Sequence, residues 1–384
     1  MAPPKLANDR LCLKPEMLRP GHRLELHRDG AEAYPRMLEA IRGAKASVLL
    51  ETYTFADDTT GRIFADALAE RAQAGIDVRV HYDAVGSHST EASFFGELRA
   101  RDVKVIQFKP LLRWLAGLAF GRRNHRKLLV VDGRVAFVGG LNISREYASI
   151  AEGGLGWRDT LVEIEGPCVL ELQESFLELW RRVRRNDPPL PSRPPAHVLK
   201  GGDARMLAVS SQRLRDRWEI SKHYRHAIEK ARDRVWITSA YFLPSLRFSR
   251  KLRAARRRGV DVRLLVPGRT DFAPVLYGMQ RLFTSHLLAG IRIFEWQGPM
   301  MHAKTMVVDG RWSTVGSYNI DRLSAFHNYE LIAIVSDEDF ARRAEAMFQG
   351  DCAQSREITP AAWRIRGWGR RILERVAYPF RKLF

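Results

Sequence analysis

The sequence predicts an α/β fold of two halves related by a pseudo-twofold axis, each an α/β/α sandwich, with one active site at their interface. Three observations predict it. The stretch NHRKLLVVDG at 124–133 returns as MHAKTMVVDG at 301–310. The order of elements around the two copies is the same. Between them lies a Pro- and Gly-rich stretch, DPPLPSRPPAHVLKGG at 187–202, which reads as a linker. A repeat this long points to duplication rather than to a solenoid.

Taken in order, AIRGAKASVLLETYTF (40–55) reads as a helix end followed by a strand. It is matched by AIEKARDRVWITSAYF (227–242), with Ile41 over Ile228, Val48 over Val235 and Phe55 over Phe242. A helix and a second strand follow in ALAERAQAGIDVRVHYD and in KLRAARRRGVDVRLLVP. In each, a Gly stops the helix and alternating apolar residues begin after it. Short third strands, DVKVIQF (102–108) and GIRIFEW (290–296), precede the motif copies, and each copy adds a strand and a Gly-containing turn. Strands alternating with helices imply a mixed sheet covered by helices. On this reading residues 1–190 form the first half, 203–358 the second, and 359–384 a basic tail.

Composition narrows the partners. The chain has 384 residues, enough for two cores of ordinary size, and a formal net charge of +19. Such an excess draws a protein toward polyanions, either nucleic acid or an anionic membrane surface. Cys12, Cys168 and Cys352 show neither disulfide nor metal-site spacing and read as reduced thiols of a cytosolic chain. The start, MAPPKLANDRLCLK, lacks the apolar core of a signal peptide. No run of about 18 apolar residues exists, so any work on a membrane is expected from its surface.

The motif carries the chemistry. Both copies read H-x-K-x-x-x-x-D: His125, Lys127 and Asp132, then His302, Lys304 and Asp309, with Asn142 and Asn319 at matched distances beyond. Lys and Asn can donate to the oxygens of a phosphate, and His can attack phosphorus or carry a proton. Displacement at a phosphodiester gains from two imidazoles, one as nucleophile and one to protonate the leaving alkoxide. Two half-sites facing one phosphate therefore give the duplication a chemical reason. A nucleophilic imidazole also needs its other nitrogen held by a carboxylate. Asp159 in GWRDTLVEIEG and Glu330 in HNYELIAIV stand at equivalent strand starts and can supply it. Asp132 and Asp309, in VVDG turns, suit turn formation or salt bridging better than proton transfer.

These paired motifs, with NHRKLLVVDGRVAFVGGLNIS, WRDTLVEIEGPCVLELQESF, YFLPS, HAKTMVVDGRWSTVGSYNID and HNYEL, resemble the phospholipase D superfamily. Within it the chain is most similar to bacterial cardiolipin synthases without N-terminal transmembrane helices, over roughly residues 20–350. The resemblance implies a metal-independent, cofactor-free, two-step transfer through a phosphohistidine. It implies a catalytic set of His125, Lys127, Asp132, His302, Lys304 and Asp309, with Lys127, Lys304, Asn142 and Asn319 on the phosphate. Asp159 and Glu330 then orient the histidines. It favours His125 as nucleophile and His302 as acid, although near-symmetry leaves the assignment open. The halves differ at Gly140 against Ser317 and at Ser144 against Asp321.

Two segments outside the repeat point to lipid rather than nucleic acid. PLLRWLAGLAFGRR (110–123) places Leu111, Trp114, Leu115 and Leu118 on one apolar face before the first motif, with Arg113, Arg122 and Arg123 suited to headgroups. The tail WRIRGWGRRILERVAYPFRKLF (363–384) has an Ile365, Trp368, Ile372, Val376 stripe among Arg364, Arg366, Arg370, Arg371 and Arg375. That pattern suits a helix lying in a membrane interface, the alternative being a terminal helix packed with Trp inward. The expected protein is a peripheral enzyme on the cytoplasmic side of the bacterial cytoplasmic membrane. Its expected partners are an anionic phospholipid membrane and phosphatidylglycerol as donor, with no nucleic acid. A hydrolytic phospholipase D or nuclease, and a membrane-binding scaffold with a fossil site, are the alternatives. Acceptor lipid and oligomeric state stay open. His223 and His226, at i and i+3 without a third ligand, read as packing or surface residues, and His81 as packing rather than cleft-lining.

Overall fold

The computed structural model describes residues 10–109, 122–190 and 202–379. The first half runs β1 (Arg19–His27), α1 (Gly30–Arg42), β2 (Ser47–Thr52), α2 (Thr59–Gln73), β3 (Asp77–Asp83), α3 (Ala92–Ala100) and β4 (Lys104–Phe108). It continues with β5 (Arg123–Asn124), β6 (Leu128–Val131), β7 (Val135–Gly139), β8 (Leu161–Glu165) and α4 (Cys168–Val183). The second half runs β9 (Ala204–Ser210), α5 (Glu219–Lys230), β10 (Arg234–Ser239), α6 (Leu246–Arg257), β11 (Asp261–Pro267), α7 (Ala273–Leu287) and β12 (Arg292–Trp296). There follow β13 (Lys304–Val308), β14 (Trp312–Gly316), β15 (Asn328–Tyr329), β16 (Leu331–Ser336), α8 (Glu338–Ala353), β17 (Ser355–Glu357), α9 (Pro360–Arg364) and α10 (Trp368–Ala377).

One sheet holds fifteen of these strands. Read outward from its centre, β1-β8-β7-β6-β2-β3-β4 on one side is mirrored by β9-β16-β14-β13-β10-β11-β12 on the other, with β17 added at the second edge. The outer trios pair in parallel and the inner strands antiparallel. The expected register repeats: Val48 faces Val131 and Val235 faces Val308, while Phe55 bridges Ile143 and Phe242 bridges Ile320. The strands β1 and β9, which join the halves, and the helices α3 and α7 add to the expected elements. In β1, RPGHRLELH, only His22 and Leu24 are buried, so the alternation that marks a strand is too short to read.

Helices cover both faces, which is why strands such as β2, buried at every position, read as apolar runs. The helices α1–α3 close a core around Ile41, Phe64, Leu68 and Phe94, and α5–α7 one around Ile228, Phe248, Leu252 and Phe283. A third core crosses the boundary: Leu172, Phe176 and Trp180 of α4 join Met206, Val315, Leu331 and Phe340 of the second half. At roughly 1.5–3 kcal/mol for each large side chain fully buried, this shared core binds the halves independently of the site. Side-chain oxygens cap the helices, Asp29 on α1, Asp58 on α2 and Asp337 on α8.

The motif aspartates have a structural role in this frame. Asp132–Gly133 and Asp309–Gly310 both have positive φ (55° and 63°, 51° and 65°), the backbone of the tight turn that closes the β6–β7 and β13–β14 hairpins. The Asp132 carboxylate accepts from the backbone N–H groups of Lys45, Ala46 and Ser47 at 2.9, 2.7 and 2.9 Å. Asp309 accepts likewise from Arg232, Asp233 and Arg234, and pairs with Arg10 at 2.7 Å. Each staples its hairpin turn to the chain entering a neighbouring strand, β2 for Asp132 and β10 for Asp309. Neither lines the cavity; their carboxylates hold the turn that follows the motif strand.

Most of the expected linker, 191–201, lies outside the described residues, as does 110–121, which carries the apolar stretch before the first motif. Of the arginines that follow it, Arg122 is tied to the second half. Its guanidinium donates to the Ser211 and Gln212 carbonyls and lies 4.5 Å over the Tyr329 ring. Arg123 does line the cavity, donating to the Lys109 carbonyl at 3.0 Å.

Candidate active site

Both motif histidines line one cavity of about 920 Å³, together with Asn142 and Asn319. Each is positioned by the opposite half. The two-stranded pairing of β5 with β15 sets Asn124 against Tyr329, and the His125 N–H then donates to the Tyr329 carbonyl at 3.0 Å. Around the pseudo-twofold axis, Arg158 bridges Met301 and the His302 N–H donates to the Arg158 carbonyl at 2.7 Å. The residue following each carbonyl is the carboxylate that meets the ring. His125 Nδ1 lies 3.1 Å from both oxygens of Glu330, and His302 Nδ1 lies 2.6 Å from Asp159 Oδ2. The repeat shows that each half carries a carboxylate; the structure shows that the pairs cross over.

This crossing fixes the rings. With Nδ1 turned to a carboxylate, Nε2 is left for a group bound in the cavity. Glu330 is held by Ser317 Oγ and by Ser324 Oγ, the latter at 2.7 Å. Asp159 has no such serine, because Gly140 stands where Ser317 does. A Cβ on Gly140 would lie 2.2 Å from Asp159 Oδ1, so glycine there leaves room for the carboxylate to reach His302. In place of the serine, Tyr147 Oη and Lys304 Nζ approach His302 Nδ1 at 3.2 and 2.9 Å.

The lysines stand behind the histidines rather than on the cavity wall. Lys127 Nζ donates to the His125 carbonyl at 2.8 Å and lies 5.1 Å over the Tyr53 ring, and Lys304 Nζ donates to the His302 carbonyl. Asn142 donates to Tyr147 Oη at 2.9 Å, while Asn319 Oδ1 is buried without a hydrogen-bond partner among the described residues. Burial depresses both motif lysines. It lowers Lys304 to about 8 and Lys127 well below the ordinary lysine value. Burial, then the neighbouring lysine, lowers His302 to about 4, and the same causes lower His125. Both shifts favour the neutral imidazole, and a phosphodiester anion beside the rings acts in the opposite direction.

Sequence reasoning missed Tyr53, Tyr147, Trp157 and Tyr241, which wall the cavity, and His88. Their positions in loops past strand ends carry no pattern of their own. Asp321, noted only as a difference from Ser144, also lines the cavity, and burial raises its carboxyl to about 7. His81 is buried against Phe108 beside Glu51, away from the cavity. His223 is buried in α5, and His226 meets the Arg10 carbonyl at 3.0 Å.

A family model described as "Cardiolipin synthase, PLD-like domain" matches residues 37–180 and 224–352. "Cardiolipin synthase A" of Pseudomonas fluorescens is 37% identical over 332 residues, covering 86% of this chain and 68% of that protein. The protein of the same name from Pseudomonas putida is 38% identical over 349 residues, covering 90% and 72%. Among solved structures, phosphatidylserine synthase of Haemophilus influenzae superposes with a TM-score of 0.71 over 97% of this chain and 94% of that one. At 14% identity this likeness concerns the fold.

Proposed function

The chain belongs to the phospholipase D-like cardiolipin synthase family, and from that premise we propose that it joins two phospholipids by phosphatidyl transfer through a phosphohistidine. The observation that carries this reading is the crossed pair of His–carboxylate contacts on one cavity. Neutral His125 uses Nε2 to attack the phosphorus of phosphatidylglycerol. A P–N bond forms, the P–O bond to the head glycerol breaks, and His302, protonated beside the bound phosphodiester, gives that oxygen its Nε2 proton. The Glu330 carboxylate stabilises the positive charge that develops on the His125 ring.

In the second step the hydroxyl of another phospholipid, expected to be phosphatidylglycerol, loses its proton to His302 and attacks phosphorus. The P–N bond breaks, which restores His125 and releases cardiolipin; glycerol left in the first step. Lys127 and Lys304, each with further N–H donors, together with Asn142 and Asn319 supply positive potential and hydrogen bonds to the non-bridging oxygens. Retaining two imidazoles on opposite sides lets one hold the phosphatidyl group while the other serves both alkoxides.

No helix among the described residues is long and apolar enough to cross a membrane. With a lipid substrate, this supports peripheral action, which we place on the cytoplasmic side. The test is incubation of purified protein with phosphatidylglycerol vesicles in excess EDTA, followed by lipid mass spectrometry. Cardiolipin and glycerol are expected in equal amounts. Phosphatidic acid instead would make the protein a hydrolase, and no product from vesicles that bind the protein would overturn the reading.

A further inference from the structure

The tail does not form the single helix that its stripe suggests. After α9 the chain breaks at Ile365–Gly367 and resumes as α10. Trp363 turns inward, 5% exposed, donating from Nε1 to Thr284 Oγ1 at 3.0 Å beside Phe283. The helix α10 is then seated on α7 in an inverted sense. Its buried face consists of Glu374, at 1% exposure, and Ala377, with Arg370 alongside. Glu374 is gripped by Arg366 at 2.7 and 2.9 Å, and Arg370 reaches Gln280 at 3.1 Å.

The apolar face points away from the protein. Ile365, Trp368 and Val376 are 85%, 78% and 60% exposed, and Ile372 and Leu373 also face out. Within α10, at 100° per residue, Trp368, Ile372 and Val376 share one arc, and the exposed Arg371 and Arg375 border it on one side; Ile365 and Arg364, just before the break, are exposed as well. A helix that buries its only carboxylate in an ion pair and leaves Trp and Ile in water is shaped for a second, apolar phase.

We propose that this outward face of residues 364–376 is an interfacial anchor that seats the protein on an anionic lipid bilayer. Charge decides the occupant. A row of arginines beside an apolar stripe matches phosphate headgroups above acyl chains, whereas a second copy, itself at +19, would set like charge against like. Position agrees with it. The helix α10 packs on α7, with Arg370 at Gln280 and Ala377 beside Gly278. The helix α7 begins two residues past Asp271, which lines the cavity, so the anchor sits on the helix that leaves the cavity wall. The orientation toward substrate rests on the transferase reading; the binding itself does not.

The test is co-sedimentation of the full chain with phosphatidylglycerol/phosphatidylethanolamine vesicles and with phosphatidylcholine vesicles. Trp368→Ser with Ile372→Ser and Val376→Ser should weaken binding at least about tenfold without lowering the melting temperature, since all three side chains are exposed. Arg364→Gln with Arg371→Gln and Arg375→Gln should remove the preference for anionic vesicles and its salt sensitivity. Brominated lipids should quench the parent more than Trp368→Phe. Turnover of monomeric short-chain phosphatidylglycerol should be the same in the triple-Ser variant as in the parent. Binding by the triple-Ser variant within about twofold of the parent would overturn the proposal, as would a dimer in light scattering that this variant alone dissolves. Vesicle binding through this face without any turnover would leave the anchor standing and sink the transferase reading.

Discussion

Replacing Glu330 with Gln separates the proposed chemistry from the fold with the smallest change of shape. Its carboxylate is fully buried, 3.1 Å from His125 Nδ1 through either oxygen, and takes two serine hydroxyls besides. The attack on phosphorus makes the His125 ring cationic. At an effective dielectric of about 20, a unit charge about 3 Å away is worth roughly 5 kcal/mol to that cation. Losing it should slow phosphatidyl transfer about 10³–10⁴-fold. The amide can also turn an N–H toward Nδ1 and move the ring's proton to Nε2, removing the nucleophilic lone pair, so this loss is a lower limit. The assay is single-turnover release of labelled glycerol from phosphatidylglycerol, with thermal melting as the control for folding. A variant that melts like the parent and loses less than about tenfold would refute the assignment of Glu330 to the reacting histidine.

Asp132→Ala should lower stability by about 3 kcal/mol, because three backbone N–H groups lose their acceptor, while the folded fraction keeps its turnover. Urea unfolding beside active-site titration checks both parts, and a stable but inactive variant would restore Asp132 to the chemistry. Gly140→Ala should cut turnover about a hundredfold or more, since its Cβ displaces the Asp159 carboxylate from His302, whereas Ser317→Ala, which removes one hydrogen bond from Glu330, should lose about tenfold at most. Equal kinetics for the two variants would contradict this. Burial lowers His223, His286 and His302 each to about 4. Between about pH 6.5 and 4 the unfolded chain therefore binds more protons, so stability should fall on acidification through that window. A urea midpoint that rises from pH 7 to pH 5 would refute it, and His286→Gln should flatten the slope.

The repeat made much of the site legible. A duplicated His-x-Lys with trailing Asn and strand-start carboxylates names His125, His302, Asn142 and Asn319, and the cavity gathers all four. Which carboxylate meets which histidine was hidden, because the contact depends on β5 pairing with β15, two-residue strands 205 positions apart that carry no periodicity. Equally hidden was the exchange of Ser317 for Gly140: a missing side chain matters only once the distance to Asp159 is known. Asp132 and Asp309 stand at a fixed spacing from the histidines because the hairpin turn must follow the motif strand, and spacing alone does not show the backbone N–H groups that their carboxylates hold. In the tail, the stripe was readable and its direction was not. Trp363 and Trp368 stand five residues apart in one basic segment, yet one is buried and the other faces out.

The central claim is that a phosphatidyl group resides on His125, opposite His302. Its most direct measurement is to mix the enzyme with phosphatidylglycerol labelled at phosphorus, quench in alkali within one turnover, digest, and map the label by mass spectrometry. Label on the peptide holding His125, absent in Glu330→Gln and persisting longer in His302→Ala when the acceptor is added, is the expected result. Label on His302, or turnover with no labelled histidine at all, would contradict the claim.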